Sequence, residues 1–526
     1  MKYFNTAGPC FPDRHYMVPP EPRLPDARRL IAQGQYFVVH APRQTGKTTA
    51  LGALAVDLTA EGGYVALLIS CEAARAVGDD YAAAEQIVLQ GLREEAGNRR
   101  LPADLLPPDP WPTAPAGSAL RAALRAWAEH CPRPLVVFFD EIDALRGQSL
   151  INVLSQLRDG FRNRPASFPA SVVLCGLRDV RDYKAAAGGD PSRLGTSSPF
   201  NIKVASLRIG DFTFDQVAEL YGQHTAATGQ EFTPEATRRA FDYTQGQPWL
   251  VNALAREIVE EMRVAPSLPI TADHVDEAKE RLIVARATHL DSLVARLYEP
   301  RVRRVIEPLV AGTVPKADST YNDDVSYVHD LGLVANRPLR VANSIYREVI
   351  VRVLSQRTED IIEAEPRSFV LPGGRLDFPR LLREFAAFWK QHGEILVQRE
   401  GYHEAACQLV LMGFLHRLVN GGGYIDREYG VGRGRIDLLI RRPYTDTAGE
   451  KAMQREALEL KVWHPGGPDP LSLGLDQLDG YLDRLGLDTG TLVIFDRRPD
   501  APPWDKRATF DIATTPQGRQ VTLLRA

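Results

Sequence analysis

Four short, uninterrupted apolar runs stand out in the first 210 residues: YFVVHA (36–41), YVALLIS (64–70), LVVFFD (135–140) and SVVLCGL (171–177). Between them lie TTALGALAVDLTAEG, residues 81–98, SALRAALRAWAEHC and SLINVLSQLRDGFR, where apolar residues recur at helical spacing. Strands that are apolar on every position are buried on both faces, and parallel strands need crossover helices to join them. The alternation therefore predicts an α/β fold with a doubly wound parallel sheet. Residues 1–34 are Pro-rich and turn-rich up to a short helix at ARRLIAQ, and the Pro-dense stretch 100–117 is loop.

From residue 211 to 287 the pattern is all-helical, and residues 288–357 read as a small helical unit with a short strand pair in LGLVANRPLRVAN. A segment at 358–378, polar and then marked by Pro and Gly, is a domain boundary. After it, at 379–526, helices around 378–392 and 401–418 precede the apolar runs RIDLLI, EALELKVW and TLVIFD, a second α/β unit. The chain shows no internal repeat.

With 44% hydrophobic and 25% charged residues, the 526-residue chain is globular rather than disordered, and its length suits several domains. A formal net charge of −4 excludes a globally basic surface, so any polyanion site must be local. The five cysteines are scattered without a CxxC pair, which argues against a disulfide framework or a zinc site and suits a reducing cytosol. No run approaches the roughly 18 apolar residues of a membrane helix, and the N-terminus lacks the apolar centre of a signal peptide. The expected location is cytoplasmic, without membrane association.

The first chemical motif is APRQTGKTT, comprising Ala41, Arg43, Gln44, Thr45, Gly46, Lys47, Thr48 and Thr49, which follows an apolar strand and opens a helix. Gly46 permits a curl that aims successive N–H groups at phosphate oxygens, Lys47 reaches the β- and γ-phosphates, and the Thr48 hydroxyl suits Mg²⁺. The usual first glycine of such a loop is Ala41 here. LVVFFDEID supplies the partner: Asp140 can hold Mg²⁺ through water, and Glu141 stands where a base would orient the attacking water. Together they read as an ATP site.

These residues resemble AAA-type P-loop ATPases, in the branch shared with archaeal ATPases and STAND switch proteins. DYTQGQPWLVNAL resembles that branch's Gly-x-Pro motif at Gly246 and Pro248, in a helical lid that packs on nucleotide in the family. RHYMVP sits where the family's N-terminal segment meets adenine, which makes Tyr16 a candidate stacker. Arg178 falls near the sensor position. DDVSYVHDLGLVANRPLRVANSIYREVIVRVL resembles the winged helix that follows the lid, and Arg301, Arg303 and Arg304 are either phosphate contacts or a solvated helix face.

The second constellation lies near the C-terminus. GRGRIDLLI places Asp437 early in a strand, and EALELKVW places Glu459 and Lys461 two apart, hence on one face of the next strand. Glu404 lies upstream on a helix; Gln477 and Tyr481 share a helical face downstream. Carboxylates that hold Mg²⁺ or Mn²⁺ beside a lysine are what phosphodiester hydrolysis needs. The set resembles the PD-(D/E)XK nuclease superfamily, with a restriction-endonuclease-like fold over 379–500. By that resemblance Asp437, Glu459 and Lys461 are catalytic, Asp437, Glu459 and Glu404 hold metal, and Gln477 and Tyr481 match the Gln-x-x-x-Tyr helix of the RecB-like branch. Arg433, Arg435, Arg497 and Arg498 are candidate DNA-phosphate contacts.

The resulting expectation is an ATP-binding or ATP-hydrolysing switch coupled to a metal-dependent nuclease acting on nucleic acid, chiefly DNA. The alternative is a STAND-like switch or remodeller whose C-terminal domain only binds DNA or a protein partner. The resemblance leaves room for a homo-oligomer through the ATPase domain.

Overall fold

The computed structural model describes residues 2–177, 202–285, 288–310, 323–336, 338–361, 369–399, 406–419, 424–431, 434–446 and 449–526. The chain divides into two compact units, residues 1–282 with 327–333, and residues 283–326 with 334–526.

In the first unit, strands β1 (Tyr36–His40), β2 (Val65–Ser70), β3 (Leu135–Asp140), β4 (Ser171–Gly176) and β5 (Lys203–Arg208) form a parallel sheet in the order β2–β3–β4–β1–β5. Period two sends Tyr36 and Val38 into one core with Val88, Leu120, Trp127 and Leu154. Phe37 and Val39 enter another with Leu30, Leu51 and Leu54. Helices α1 (Ala27–Ala32) and α2 (Lys47–Ala60) therefore cover one face; α3 (Tyr81–Asn98), α4 (Ala119–His130) and α5 (Gly147–Gly160) cover the other. That double coverage is why these strands carry no polar alternation. Strand β4 intervenes between β1 and β3, so the carboxyl ends of β1 and β3 face a shared crevice.

Helices α6 (Phe214–Thr228), α7 (Pro234–Thr244), α8 (Pro248–Arg256) and α9 (Ala272–Val284) follow. Their starts are written in the sequence. Thr213 and Gln216 form a reciprocal capping box on α6, the Thr233 hydroxyl accepts from the Ala236 N–H at α7, and the Gln247 side chain accepts from the Leu250 N–H at α8. Gly246 precedes α8 with φ +78°, and a Cβ there would lie 1.8 Å from the Phe212 carbonyl oxygen. Only glycine fits, because the Phe212 N–H also donates to the Gly246 carbonyl at 2.8 Å.

The second unit contains α10 (Thr288–Leu297), α11 (Pro300–Val310), α13 (Ser344–Ile361) and a two-residue antiparallel pair, β6 (Val334–Ala335) with β7 (Arg340–Val341). Helix α12 (Asp323–Asp330) precedes that pair. The unit then builds a mixed sheet after α14 (Phe378–Arg399) and α15 (Ala406–Val419). Strands β8 (Tyr424–Val431), β9 (Gly434–Thr445) and β10 (Lys451–Trp463) form an antiparallel meander. Helix α16 (Leu471–Leu485) crosses over, so β11 (Thr491–Asp496) pairs parallel to β10. Past the short helix α17 (Trp504–Arg507), β12 (Thr509–Thr514) and β13 (Gln520–Arg525) complete the order β12–β13–β11–β10–β9–β8. Helix α16 lies so close to the sheet that a Cβ on Gly474 would meet Leu492 at 2.7 Å.

Four strands were not anticipated from the hydrophobic pattern: β5, β8, β12 and β13. Strands β5, β8 and β12 are sheet edges, and β5 and β12 are largely exposed or half-exposed. An edge strand with one solvated face shows no continuous apolar run. Among the described residues, no helix is long and apolar enough to cross a membrane.

Candidate functional site

The loop between β1 and α2 curls through left-handed backbone at Gln44 (φ 58°) and Gly46 (φ 83°). Ala41 lies below that curl, fully buried at the strand end and without positive φ, so its Cβ does not obstruct the turn. Lys47, itself buried, folds back: its Nζ donates to the carbonyls of Ala41 at 2.8 Å and Pro42 at 2.9 Å. The Thr45 hydroxyl donates to the same Pro42 carbonyl at 2.9 Å. Thr48 reaches across the crevice, its hydroxyl donating to Oδ2 of Asp140 at 2.6 Å.

Asp140, 3% exposed at the end of β3, also accepts from the Glu141 N–H at 2.9 Å. Glu141 takes left-handed backbone (φ 52°), which turns its side chain away from the strand direction. Burial, followed by the neighbouring carboxylates of Asp143 and Asp140, pushes the Glu141 carboxyl above its ordinary value, while Lys47 opposes the rise. A carboxyl raised in this way holds a proton more readily, as a general base must.

A cavity opens between this loop, the N-terminal segment and α8; Gln44, Gly46, Thr49, Tyr16, Pro248 and Asn252 are among its walls. The N-terminal segment is fastened on both sides. Phe4 inserts among Tyr16, Tyr221, His224 and Phe232. Trp249 Nε1 donates to the Thr6 carbonyl at 2.8 Å, and the Cys10 N–H donates to Thr49 Oγ1 at 3.1 Å. Tyr16 is 2% exposed, with Phe4 against its ring at 4.8 Å and His224 edge-on at 5.7 Å, and its hydroxyl is buried without a partner. Its ring is thus already packed by protein. Arg43 is exposed and is not among the cavity's walls.

Sequence reasoning missed Arg23. Its guanidinium donates to the carbonyls of Thr45 at 2.7 Å and Gly210 at 2.6 Å, tying the loop to the segment that leads into α6. Burial lowers its pKa to about 10, against the opposing charge of Asp211. The sequence around it, PPEPRLP, carried no motif.

In the mixed sheet, Leu458 pairs with Leu438, and beyond that pair β10 leaves β9 and continues only along β11. Asp437 fills the fork: its Oδ2 accepts from the Leu460 N–H at 2.9 Å. Glu459, 2% exposed, accepts from Lys461 Nζ at 2.5 Å through Oε1, while its Oε2 is buried without a partner. Burial first, and then the Asp437 carboxylate, raise Glu459 to about 7; Lys461 opposes them. The structure thus brings Asp437, Glu459 and Lys461 together at the fork. Gln477 and Tyr481 stand on α16, which packs on β9, β10 and β11, and Gln477 Oε1 is buried without a partner.

Arg178, Glu404 and Arg433 lie outside the described residues, as does the Arg435 side chain. Among the described residues, no group of three or more His, Cys, Asp or Glu is arranged to hold a metal ion. The donor set at the fork is nonetheless hard oxygen, and Glu459 Oε2 is a buried acceptor in want of a cation or donor, so the residues fit a divalent ion. Of the candidate phosphate-binding arginines, Arg498, Arg301, Arg303 and Arg304 are engaged within the protein. Arg498 forks onto Asp496 and stacks on Trp463 at 3.5 Å; Arg301 and Arg304 pair with Asp324; Arg303 pairs with Glu307.

No known family profile and no curated protein matches the chain. Solved structures do. A Walker-type ATPase of Pyrococcus abyssi is 13% identical over 66% of this chain and 99% of its own, with a TM-score of 0.45. The ORC2 protein of Aeropyrum pernix, in ADPNP–ADP complexes, is 13% identical over 64% of this chain and 93% of its own, with a TM-score of 0.40. Thermotoga maritima RuvB, a Holliday junction branch migration motor, is 15% identical over 63% of this chain and 93% of its own, with a TM-score of 0.34. The α/β assignment itself rests on the parallel five-stranded sheet and on the loop between β1 and α2.

Proposed function

We propose that the chain is an ATP-binding and ATP-hydrolysing switch of the AAA-type P-loop class, coupled to a metal-dependent nuclease that cleaves phosphodiester bonds in DNA. The observation that carries the first half is the Thr48–Asp140 hydrogen bond across the crevice beside a buried Lys47. A hydroxyl at the start of α2 and a carboxylate at the end of β3 would hold a Mg²⁺, which would supply neutralising charge to the phosphates. Lys47, freed from the Ala41 and Pro42 carbonyls, reaches those phosphates. Glu141, raised by burial and its acidic neighbours, accepts the proton of the attacking water.

The second half rests on Asp437, Glu459 and Lys461 meeting at the fork of a mixed sheet, the arrangement expected of a restriction-endonuclease-like domain. Asp437 and Glu459, with Glu404 as a further donor, would hold Mg²⁺ or Mn²⁺, which would supply an activated water and stabilise the leaving oxygen. Lys461 orients that water and offsets charge on the phosphate. Residues 288–357 would serve as a winged-helix connector, and 379–526 as the nuclease domain. Assembly of further copies through the ATPase unit fits the same class.

The test incubates the full chain with circular duplex, linear duplex and single-stranded DNA, with Mg²⁺ or Mn²⁺, with and without ATP, beside Asp437→Ala and Lys47→Ala. Metal-dependent cleavage that vanishes in Asp437→Ala and changes in Lys47→Ala is the expected result. No cleavage of any substrate, with ATP binding intact, would favour a switch whose C-terminal unit only binds DNA or a protein.

A further inference from the structure

Arg23 ties the phosphate loop to the segment before α6, yet that tie uses only one of its three nitrogens. Both bonds, to the Thr45 and Gly210 carbonyls, leave from Nη2. Nε is buried without a partner, and Nη1 makes no hydrogen bond among the described residues. Asp211 is the carboxylate whose charge acts on the guanidinium, but no ion pair joins the two. The face of the Phe212 ring, 4.8 Å away, is its one aromatic contact. A cation drawn out of water without a paired anion is costly, and an arriving anion offsets that cost.

The same guanidinium lines the cavity that Gln44, Gly46 and Thr49 wall from the loop side. Among the described residues it is the one charged side chain there. Nη1 lies 3.1 Å from where a Cβ on Gly46 would stand, so it overhangs the left-handed turn of the loop. The N–H groups of such a loop cradle the α- and β-phosphates. A guanidinium donor aimed at the same place meets phosphate oxygens.

We propose that Arg23 is a phosphate-binding residue: its Nη1 donates to an oxygen of the α- or β-phosphate while Nη2 keeps its hold on Thr45 and Gly210. This deepens the nucleotide-binding reading above and rests on it. The diphosphate, common to ADP and ATP, is then the part of the ligand that Arg23 reads, whereas Lys47 extends to the third phosphate.

The experiment measures binding rather than turnover. ADP and ATP are titrated into the full chain at several salt concentrations, with wild type, Arg23→Gln, Arg23→Lys and Lys47→Ala. Arg23→Gln is expected to lose about tenfold or more for both ligands alike, the scale of a hydrogen bond to a charged group. Its affinity should also fall less steeply with added salt than that of wild type, because one cation fewer is screened. A loop that had merely lost its tie would bind more weakly by the same factor at every salt concentration. Arg23→Lys keeps the charge and gives up the double hold on the carbonyls, so it should retain the wild-type salt dependence.

An Arg23→Gln protein that binds ADP as wild type does overturns the proposal, and so does a loss of affinity with unchanged salt dependence. A loss confined to ATP overturns it too, since the contact would then lie at the third phosphate. If Arg23→Gln does not fold, Arg23→Lys decides, and a salt dependence shallower than that of wild type overturns the proposal. If wild type binds neither nucleotide, the nucleotide reading falls and this proposal with it. Binding that depends on Lys47 and not on Arg23 overturns the role of Arg23 alone.

Discussion

Thr48 and Asp140, 92 residues apart in sequence, are joined by a 2.6 Å hydrogen bond from hydroxyl to carboxylate. The two groups that would share a Mg²⁺ therefore hold each other in place before any cation arrives. Thr48→Ala should leave metal-free nucleotide binding within about twofold while abolishing the gain that Mg²⁺ gives. Isothermal titration with and without Mg²⁺ checks this. An unchanged Mg²⁺ gain would separate Thr48 from the metal.

Gly246 tests the turn into α8. A side chain there faces both left-handed backbone and the Phe212 carbonyl at 1.8 Å. Gly246→Ala should cost about 2–4 kcal/mol, the scale of backbone strain plus overpacking. Thermal melting would read the loss, and limited proteolysis should cut first within residues 211–256. Melting at the wild-type temperature would contradict the contact.

Phe4 tests the fastening of the N-terminal segment. It is 1% exposed among four aromatic rings, so Phe4→Ala should destabilise by about 3–5 kcal/mol. Because the same segment walls the cavity through Tyr16 and Cys10, nucleotide affinity should fall as well. Chemical denaturation and nucleotide titration on one preparation would show whether both move.

Glu459 makes a prediction about pH. Its carboxyl rises from 4.5 to about 7 in the folded protein. The unfolded chain releases this proton near 4.5, whereas the folded chain keeps it until about 7. Stability from this group is therefore highest at low pH and is lost as pH rises across that window. The full loss is on the order of 3 kcal/mol. Without added metal, Glu459→Gln should flatten the decline between pH 5 and pH 8, measured by urea denaturation at each pH. A variant that declines as steeply as wild type would mean the carboxyl titrates at its ordinary value.

Strands β1 to β4 were legible because each is buried on both faces, leaving unbroken runs such as LVVFFD. The motif at 41–49 was legible because strand, loop and helix must follow one another to make it. Residues recruited across the fold were not legible. Arg23 sits in a stretch of prolines, and its role depends on the Thr45 and Gly210 carbonyls, which no local pattern connects to it. Gln44 shows the same limit: its left-handed backbone supplies part of the curl that a glycine count would assign to Ala41's position.

The fork between β9 and β10 ties chemistry to alignment. Asp437 can close the gap at Leu460 only while Leu438 faces Leu458, and Glu459 and Lys461, which share a face in any alignment, meet Asp437 only in that one. Displacing β10 by one residue would turn both groups to the opposite surface and strand the carboxylate. Loop insertions between residues 445 and 451 that preserve the pairing should be tolerated. A single residue added or deleted within 451–458 should silence the site even in a protein that still folds.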